Sequence, residues 1–167
     1  MAETNYTDIE TIADRLRTAT GRVTLGYDEP KPGVNEIDMS YNTADSHRTD
    51  VEREIELRVG RFYAVPLALV TEGTISILDT IACKKTCYEI WSVLNPEFTN
   101  EEIPSSVRGW YDSAEMLLER IVPKGKTSPK IGRDIILDGE TMLAAADDPS
   151  VANFKMTASI PWGKTTS

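Results

Sequence analysis

Apolar residues recur at helical spacing in four stretches of the chain, and each stretch is bounded by a start or stop signal. The first opens at Thr7-Asp8-Ile9-Glu10, a capping box in which Thr7 and Glu10 can each satisfy the other's backbone donor. Ile9, Ile12, Ala13 and Leu16 then share a face, and Gly21 stops the helix. The second stretch, Ala44 to Tyr63, carries the stripe Val51, Ile55, Val59, Phe62. Its opposite face holds Arg48, Glu52, Glu54, Glu56 and Arg58, which reads as a solvated charged face, and Pro66 bars any continuation. The third, Thr74 to Leu94, is apolar nearly all round, so it belongs in the middle of a bundle or against a neighbouring subunit. Asn95-Pro96 closes it. Pro104 opens the fourth helix where a missing N–H costs nothing, and Pro123-Lys124-Gly125 ends it after the expected inner face Val107, Trp110, Tyr111, Ala114, Leu117, Leu118, Ile121.

Between these stretches the period is lost. Residues 21–42 contain prolines and glycines, with Val23 and Leu25 expected as one short strand and Val34 and Ile37 as another around Asp28–Gly33. This predicts a long loop or hairpin insertion, unusual enough in a small domain to carry function or movement. Beyond Gly125 we expect a short strand at Ile131–Leu137, a turn at Asp138-Gly139 and one helical turn at Met142–Ala146. The predicted fold class is all-α: a bundle of about four helices, residues 1–125, with a loop or hairpin insertion and an extended C-terminal arm, residues 126–167, containing a short strand.

Composition narrows the function. The 167 residues carry 27 acidic and 18 basic side chains, net −9, which argues against general nucleic-acid binding. Residues 1–122 hold 22 acids and 12 bases, net −10, whereas residues 123–167 hold 5 and 6, net +1. Body and tail therefore differ in charge as well as in periodicity. Met1 to Tyr6 lack the basic, apolar start of a secretory signal and no apolar run reaches membrane-spanning length, so we expect a soluble intracellular product.

Candidate chemistry is sparse. Cys83 and Cys87 lie four apart on the most apolar helix without a partner histidine, as His47 precedes on another helix; they read as small buried hydrophobes, with Lys84 and Lys85 beside them on a wet edge. Gly125-Lys126-Thr127 and Gly163-Lys164-Thr165 imitate the end of a phosphate-binding loop. Both lack its earlier glycine and its strand–loop–helix context. Glu52, Glu54 and Glu56 with Asp112 and Glu115 could hold magnesium, as acidic bundle helices do in all-α nucleotide pyrophosphohydrolases. We expect no cofactor and no metal. Toward the end of the tail, Phe154, Ile160, Pro161 and Trp162 have the character of a partner-docking segment.

The run Glu54-Ile55-Glu56-Leu57-Arg58-Val59-Gly60-Arg61-Phe62-Tyr63-Ala64-Val65-Pro66-Leu67 resembles the helix-to-loop segment of phage head–tail connector proteins, in the Mu-like prophage branch. Asp79-Thr80-Ile81-Ala82 is similar to that family's next helix. Ile103-Pro104, Val107-Arg108, Tyr111-Asp112, Ala114 and Leu117 to Ile121 with Gly125 resemble its last helix and stop. The likeness spans residues 5–138 in order. Residues 21–42 look expanded, and the tail after Asp138 is longer than the family pattern.

The resemblance implies a non-enzymatic virion protein at the neck, assembled in the host cytoplasm. Copies would form a twelvefold ring under the portal protein, extending the DNA channel toward a tail terminator or the next neck protein. DNA would pass without sequence-specific binding, and no membrane would be involved. On this reading some of Glu52, Glu54, Glu56, Glu101 and Glu102 face the channel, and the arm around Trp162 docks on the portal or an adjacent subunit. The alternatives are a tail-side terminator at the same junction and the magnesium-dependent pyrophosphohydrolase.

Overall fold

Asp8, rather than Thr7, caps the first helix. In the computed structural model, which describes residues 5–21, 23–27, 37–97, 103–121 and 135–143, the Asp8 carboxylate accepts from Thr11 N at 2.7 Å and from the Thr11 hydroxyl. Those bonds hold its pKa below the ordinary carboxylate value. The cap moves one residue from the expected box because Thr7 is buried and its N–H is already taken by Glu52. Helix α1 spans Ile9–Thr20, and Gly21 ends it in a left-handed conformation at φ 64°.

The insertion is not a hairpin. Strand β1 (Leu25–Gly26) pairs with β2 (Met39–Ser40) in parallel, Leu25 opposite Met39 and Gly26 opposite Ser40. Parallel partners need a crossover rather than a tight turn. The expected second strand is displaced from Val34–Ile37 to Met39–Ser40; Ile37 lies outside it, and Val34 is outside the described residues.

Helix α2 spans Tyr41–Val59, starting three residues before the expected Ala44 because Ser40 accepts from Thr43 N as its cap. It also stops short of Tyr63: Gly60 caps it, and the chain turns through Phe62 toward a cis Val65–Pro66 bond. Helix α3 spans Glu72–Leu94 with Thr71 as cap, and α4 spans Ser105–Ile121. Among the described residues 64% are helical, so the fold is a small four-helix bundle with a two-stranded parallel sheet.

Most of the apolar circumference of α3 is covered inside the subunit, with Ile75 and Val93 left exposed. The helix touches α1, α2 and α4. Leu78, Ile81 and Ala82 join one cluster with Val51, Ile55, Leu118 and Ile121, while Cys83, Cys87, Ile90 and Trp91 join another with Ile12, Leu16 and Val107. Of the two positions sequence left open, the middle of the bundle is the one it occupies.

Residues 135–143 continue the body past the expected boundary at residue 125. Leu137 is buried and its N–H donates to the Tyr63 hydroxyl at 3.1 Å. The Thr71 and Thr74 hydroxyls both donate to Asp138 O, at 3.0 and 2.8 Å. Gly139 makes the expected turn at φ 81°, where a Cβ would lie 3.1 Å from Thr71 and 3.2 Å from Val70. Glu140 then accepts from Ala68 N and Leu69 N, both at 2.7 Å, which holds Leu69 in an uncommon left-handed conformation at φ 52°. No strand forms at 135–137, and Met142 makes an antiparallel bridge with Tyr63 instead of starting a helical turn. Residues 131–134 and 144–146 of those two expected elements, like the arm from 144 to 167, lie outside the described residues.

The burial difference along α3 is testable. Ile81 is fully buried, so Ile81→Ala should cost about 2–5 kcal/mol in urea unfolding. Ile75 is 40% exposed, and Ile75→Ala should stay within about 0.5 kcal/mol of the parent.

Candidate functional site

Glu52 does not face outward. It stands on the side of α2 that meets the N-terminal segment, where Oε1 accepts from Tyr6 N at 2.8 Å and Thr7 N at 3.2 Å. Its Oε2 accepts from Arg48 at 2.7 Å, and Arg48 also donates to Asp45 and to Asn5. Both Arg48 and Glu52 are buried, so this part of the expected solvated face is interior and a channel-facing role for Glu52 is corrected. Burial pushes the Glu52 carboxyl up, outweighing the donors that hold it ionised. Tyr6, buried beside Glu56, has its phenol raised by burial and by that carboxylate, which accepts its hydroxyl at 3.3 Å.

A second ionic group joins three helices. Lys85 on α3, expected on a wet edge, is buried, and its ammonium reaches Glu54 on α2 at 2.8 Å and Glu115 on α4 at 2.7 Å. Arg58 donates to both Glu115 oxygens at 2.9 Å, and Lys85 also lies 5.6 Å from the centre of the Tyr111 ring. Burial alone would lower the Lys85 pKa, but the hydrogen bonds to Glu115 and Glu54 outweigh it and hold it above the ordinary lysine value. Burial likewise opposes the Glu115 charge, yet its bonds to Lys85 and Arg58 keep the carboxyl below the ordinary range.

The acidic candidates do not converge on one open site: Glu54 and Glu115 meet, but around the Lys85 ammonium. Glu52 binds the N-terminal segment, Glu54 pairs with Lys85, and Glu56 meets Tyr6. Among the described residues no group of three or more His, Cys, Asp or Glu is placed to hold a metal ion. Cys83 and Cys87 are buried, with the Cys87 thiol 3.8 Å from Ile12 O. His47 stands 3.8 Å from Glu89. Glu101, Glu102, Phe154, Ile160, Pro161 and Trp162 lie outside the described residues.

What the surface does offer is an open cleft of about 460 Å³ on the outer side of α2, lined by Arg53, Glu56, Leu57, Gly60, Arg61 and Val65. Leu57 is 78% exposed and Val65 47%. Such exposure of two apolar side chains between two arginines suits a docking surface more than a small-molecule site, which would be enclosed. The sequence held a signal for it: Leu57 breaks the polar face of α2, out of step with the Val51, Ile55, Val59 stripe. A second cleft, of about 570 Å³, has an acidic rim of Asp8, Glu72 and Asp79 around Ile75.

No family model, curated protein or solved structure matches the chain. Among the described residues no helix is long and apolar enough to cross a membrane.

Removing Glu52 leaves Arg48 and two N–H groups buried with fewer partners, so Glu52→Ala should cost about 3–5 kcal/mol in urea unfolding. The Lys85 shift sets a pH dependence. With its pKa raised on folding, its contribution is fully present below the ordinary value of about 10.4 and is lost as pH rises through the higher folded value. Urea midpoints should therefore fall across that alkaline range and fall less steeply in Lys85→Met, the remaining slope coming in part from Tyr6.

Proposed function

We propose that the chain is a non-enzymatic phage head–tail connector subunit, a structural component of the virion neck. Copies form a twelvefold ring below the portal protein and extend the DNA channel toward the tail terminator or the next neck protein. The observation that carries this reading is the layout of residues 54–67, the segment that most resembles the connector family. It leaves α2, turns at Gly60 and presents Leu57, Arg61 and Val65 at the surface, where a ring subunit needs contacts. An acidic body agrees with a conduit that lets a duplex slide, since like charge between protein and phosphate prevents sticking. Glu54, Glu56, Glu101 and Glu102 are the channel-facing candidates, and Phe154, Ile160, Pro161 and Trp162 dock on the portal or an adjacent subunit. A tail-side terminator at the same junction would use the same surfaces.

The pyrophosphohydrolase alternative loses support at Glu52. That residue's two oxygens already hold three protein donors, leaving no carboxylate pair with Glu56 to offer magnesium.

Full-length protein mixed with portal should give rings seated on the portal by electron microscopy. Deleting residues 150–167 should reduce that attachment at least about tenfold with helicity by circular dichroism unchanged, because a few aromatic anchors dominate such interfaces. Normal attachment by the truncated chain would remove the docking role of the arm. Absence of rings together with magnesium-dependent triphosphate turnover, lost in Glu56→Gln, would replace the connector reading with the hydrolase.

A further inference from the structure

Two clefts on the subunit share one plan and carry opposite charge. The outer cleft on α2 sets exposed Leu57 and Val65 between Arg53 and Arg61. The cleft at the start of α3, of about 570 Å³, sets exposed Ile75 among Asp8, Glu72 and Asp79. Tyr6 lines this second cleft and donates its hydroxyl to Glu56 on the first, so the two lie on either side of that bond.

We infer that these clefts are the two halves of one head-to-tail contact, with Leu57, Arg53 and Arg61 of one copy seated in the Ile75 cleft of the next. The occupant of each cleft is a second copy of this chain. The contact rests on the connector reading, which makes the α2 surface a subunit contact, and adds the face that receives it.

Unmet bonding on both sides points to this pairing. In the α2 cleft two guanidinium groups stand against one carboxylate, Glu56, which already holds the Tyr6 hydroxyl. Arg61 has no ion pair among the described residues, and Arg53 has only an exposed one with Asp50 at 3.5 Å. In the α3 cleft the Asp8 carboxylate is taken up by Thr11, but Glu72 and Asp79 have no ion pair among the described residues. Thr7 lines the same cleft, and its buried hydroxyl oxygen has no hydrogen-bond partner among the described residues. A guanidinium is all donor, with five N–H groups in a fixed fork, and so matches two open carboxylates beside an unsatisfied oxygen.

Shape and sign agree. Leu57 is 78% exposed and stands out from α2 as a knob, and Ile75 gives it apolar surface to cover. Neither cleft complements itself, because two arginine rims repel and so do two acidic ones. Copies therefore meet through unlike surfaces. Each subunit added in this way leaves one cleft of each kind open at the ends of the series, which closes as a ring when the rotation between copies allows.

Charge reversal in complementary pairs tests the contact on the full-length protein, with the size of species read by sedimentation velocity. The parent should form species larger than a dimer, and raised salt should weaken them. R53E/R61E makes both clefts acidic, and E72K/D79K makes both basic. Each variant alone should need at least about tenfold more protein to assemble. Mixed one to one they should assemble as the parent does, since every contact in an alternating series then joins opposite charges. The chain with all four changes should assemble by itself. Recovery in the mixture shows that both variants are folded. Assembly of either reversed variant as readily as the parent overturns the inference, as does a mixture no better than its components or a parent that stays monomeric. Complementation that stops at a closed dimer, with both clefts joined around a twofold axis, overturns it too. Rings on portal that ignore these reversals leave the connector reading standing without this contact. Charge-complementary assembly that never seats on portal removes the connector reading and supports the contact.

Discussion

One ammonium group ties three helices together. Hydrophobic burial drives α2 and α4 onto α3 but has no direction of its own, and an apolar surface running nearly all round α3 offers many equivalent seats. Lys85 removes that freedom. Its two short contacts, to Glu54 on one side and Glu115 on the other, fix how both neighbours are rotated, and Arg58 closes the group by reaching Glu115 from α2. A buried ion pair of this kind contributes little net stability once desolvation is counted; its effect here is on register. Everything placed by α2, the outer cleft included, inherits its orientation from that contact.

The same logic governs the N-terminal segment. Arg48 and Glu52 form a second buried pair, and the carboxylate's remaining capacity goes to two backbone N–H groups ahead of α1. Charges that look like an outward field in the sequence are partly spent inside the molecule. The electrostatic face presented to solvent is consequently smaller than the net charge suggests. The apolar opening between Arg53 and Arg61 becomes the more distinctive feature of the outer surface.

The helices were legible because period and punctuation agree: Gly21, Pro66, Asn95 and Pro104 bound them, and local caps at Ser40 and Thr71 moved the starts of α2 and α3 earlier by three and two residues. The insertion was misread because Met39 and Ser40 look like the approach to a helix, whereas pairing with Leu25 depends on a partner fourteen residues away. The interior placement of Glu52 and Lys85 was also invisible. A charged residue on a helix face reads as solvated unless its partners are known, and those partners come from Tyr6 and Thr7 in one case and from α4 in the other. Leu57 could have been found, since it interrupts a polar face. Its neighbour across the cleft, Val65, comes close only after the turn at Gly60.

The seating of Asp138 and Glu140 at the start of α3 has a consequence for how the chain is made. The Thr71 and Thr74 hydroxyls and the N–H groups of Ala68 and Leu69 find their partners 64 to 72 residues later in the sequence. On a ribosome adding residues one by one from the N-terminus, α1, α2 and α3 emerge well before that partner segment exists. The turn between α2 and α3 stays incomplete throughout that interval, and loop closure of this length makes its locking a late event. The last turn of the body therefore acts as a completion step: a nascent chain cannot finish this fold until residues 138–140 have been synthesised.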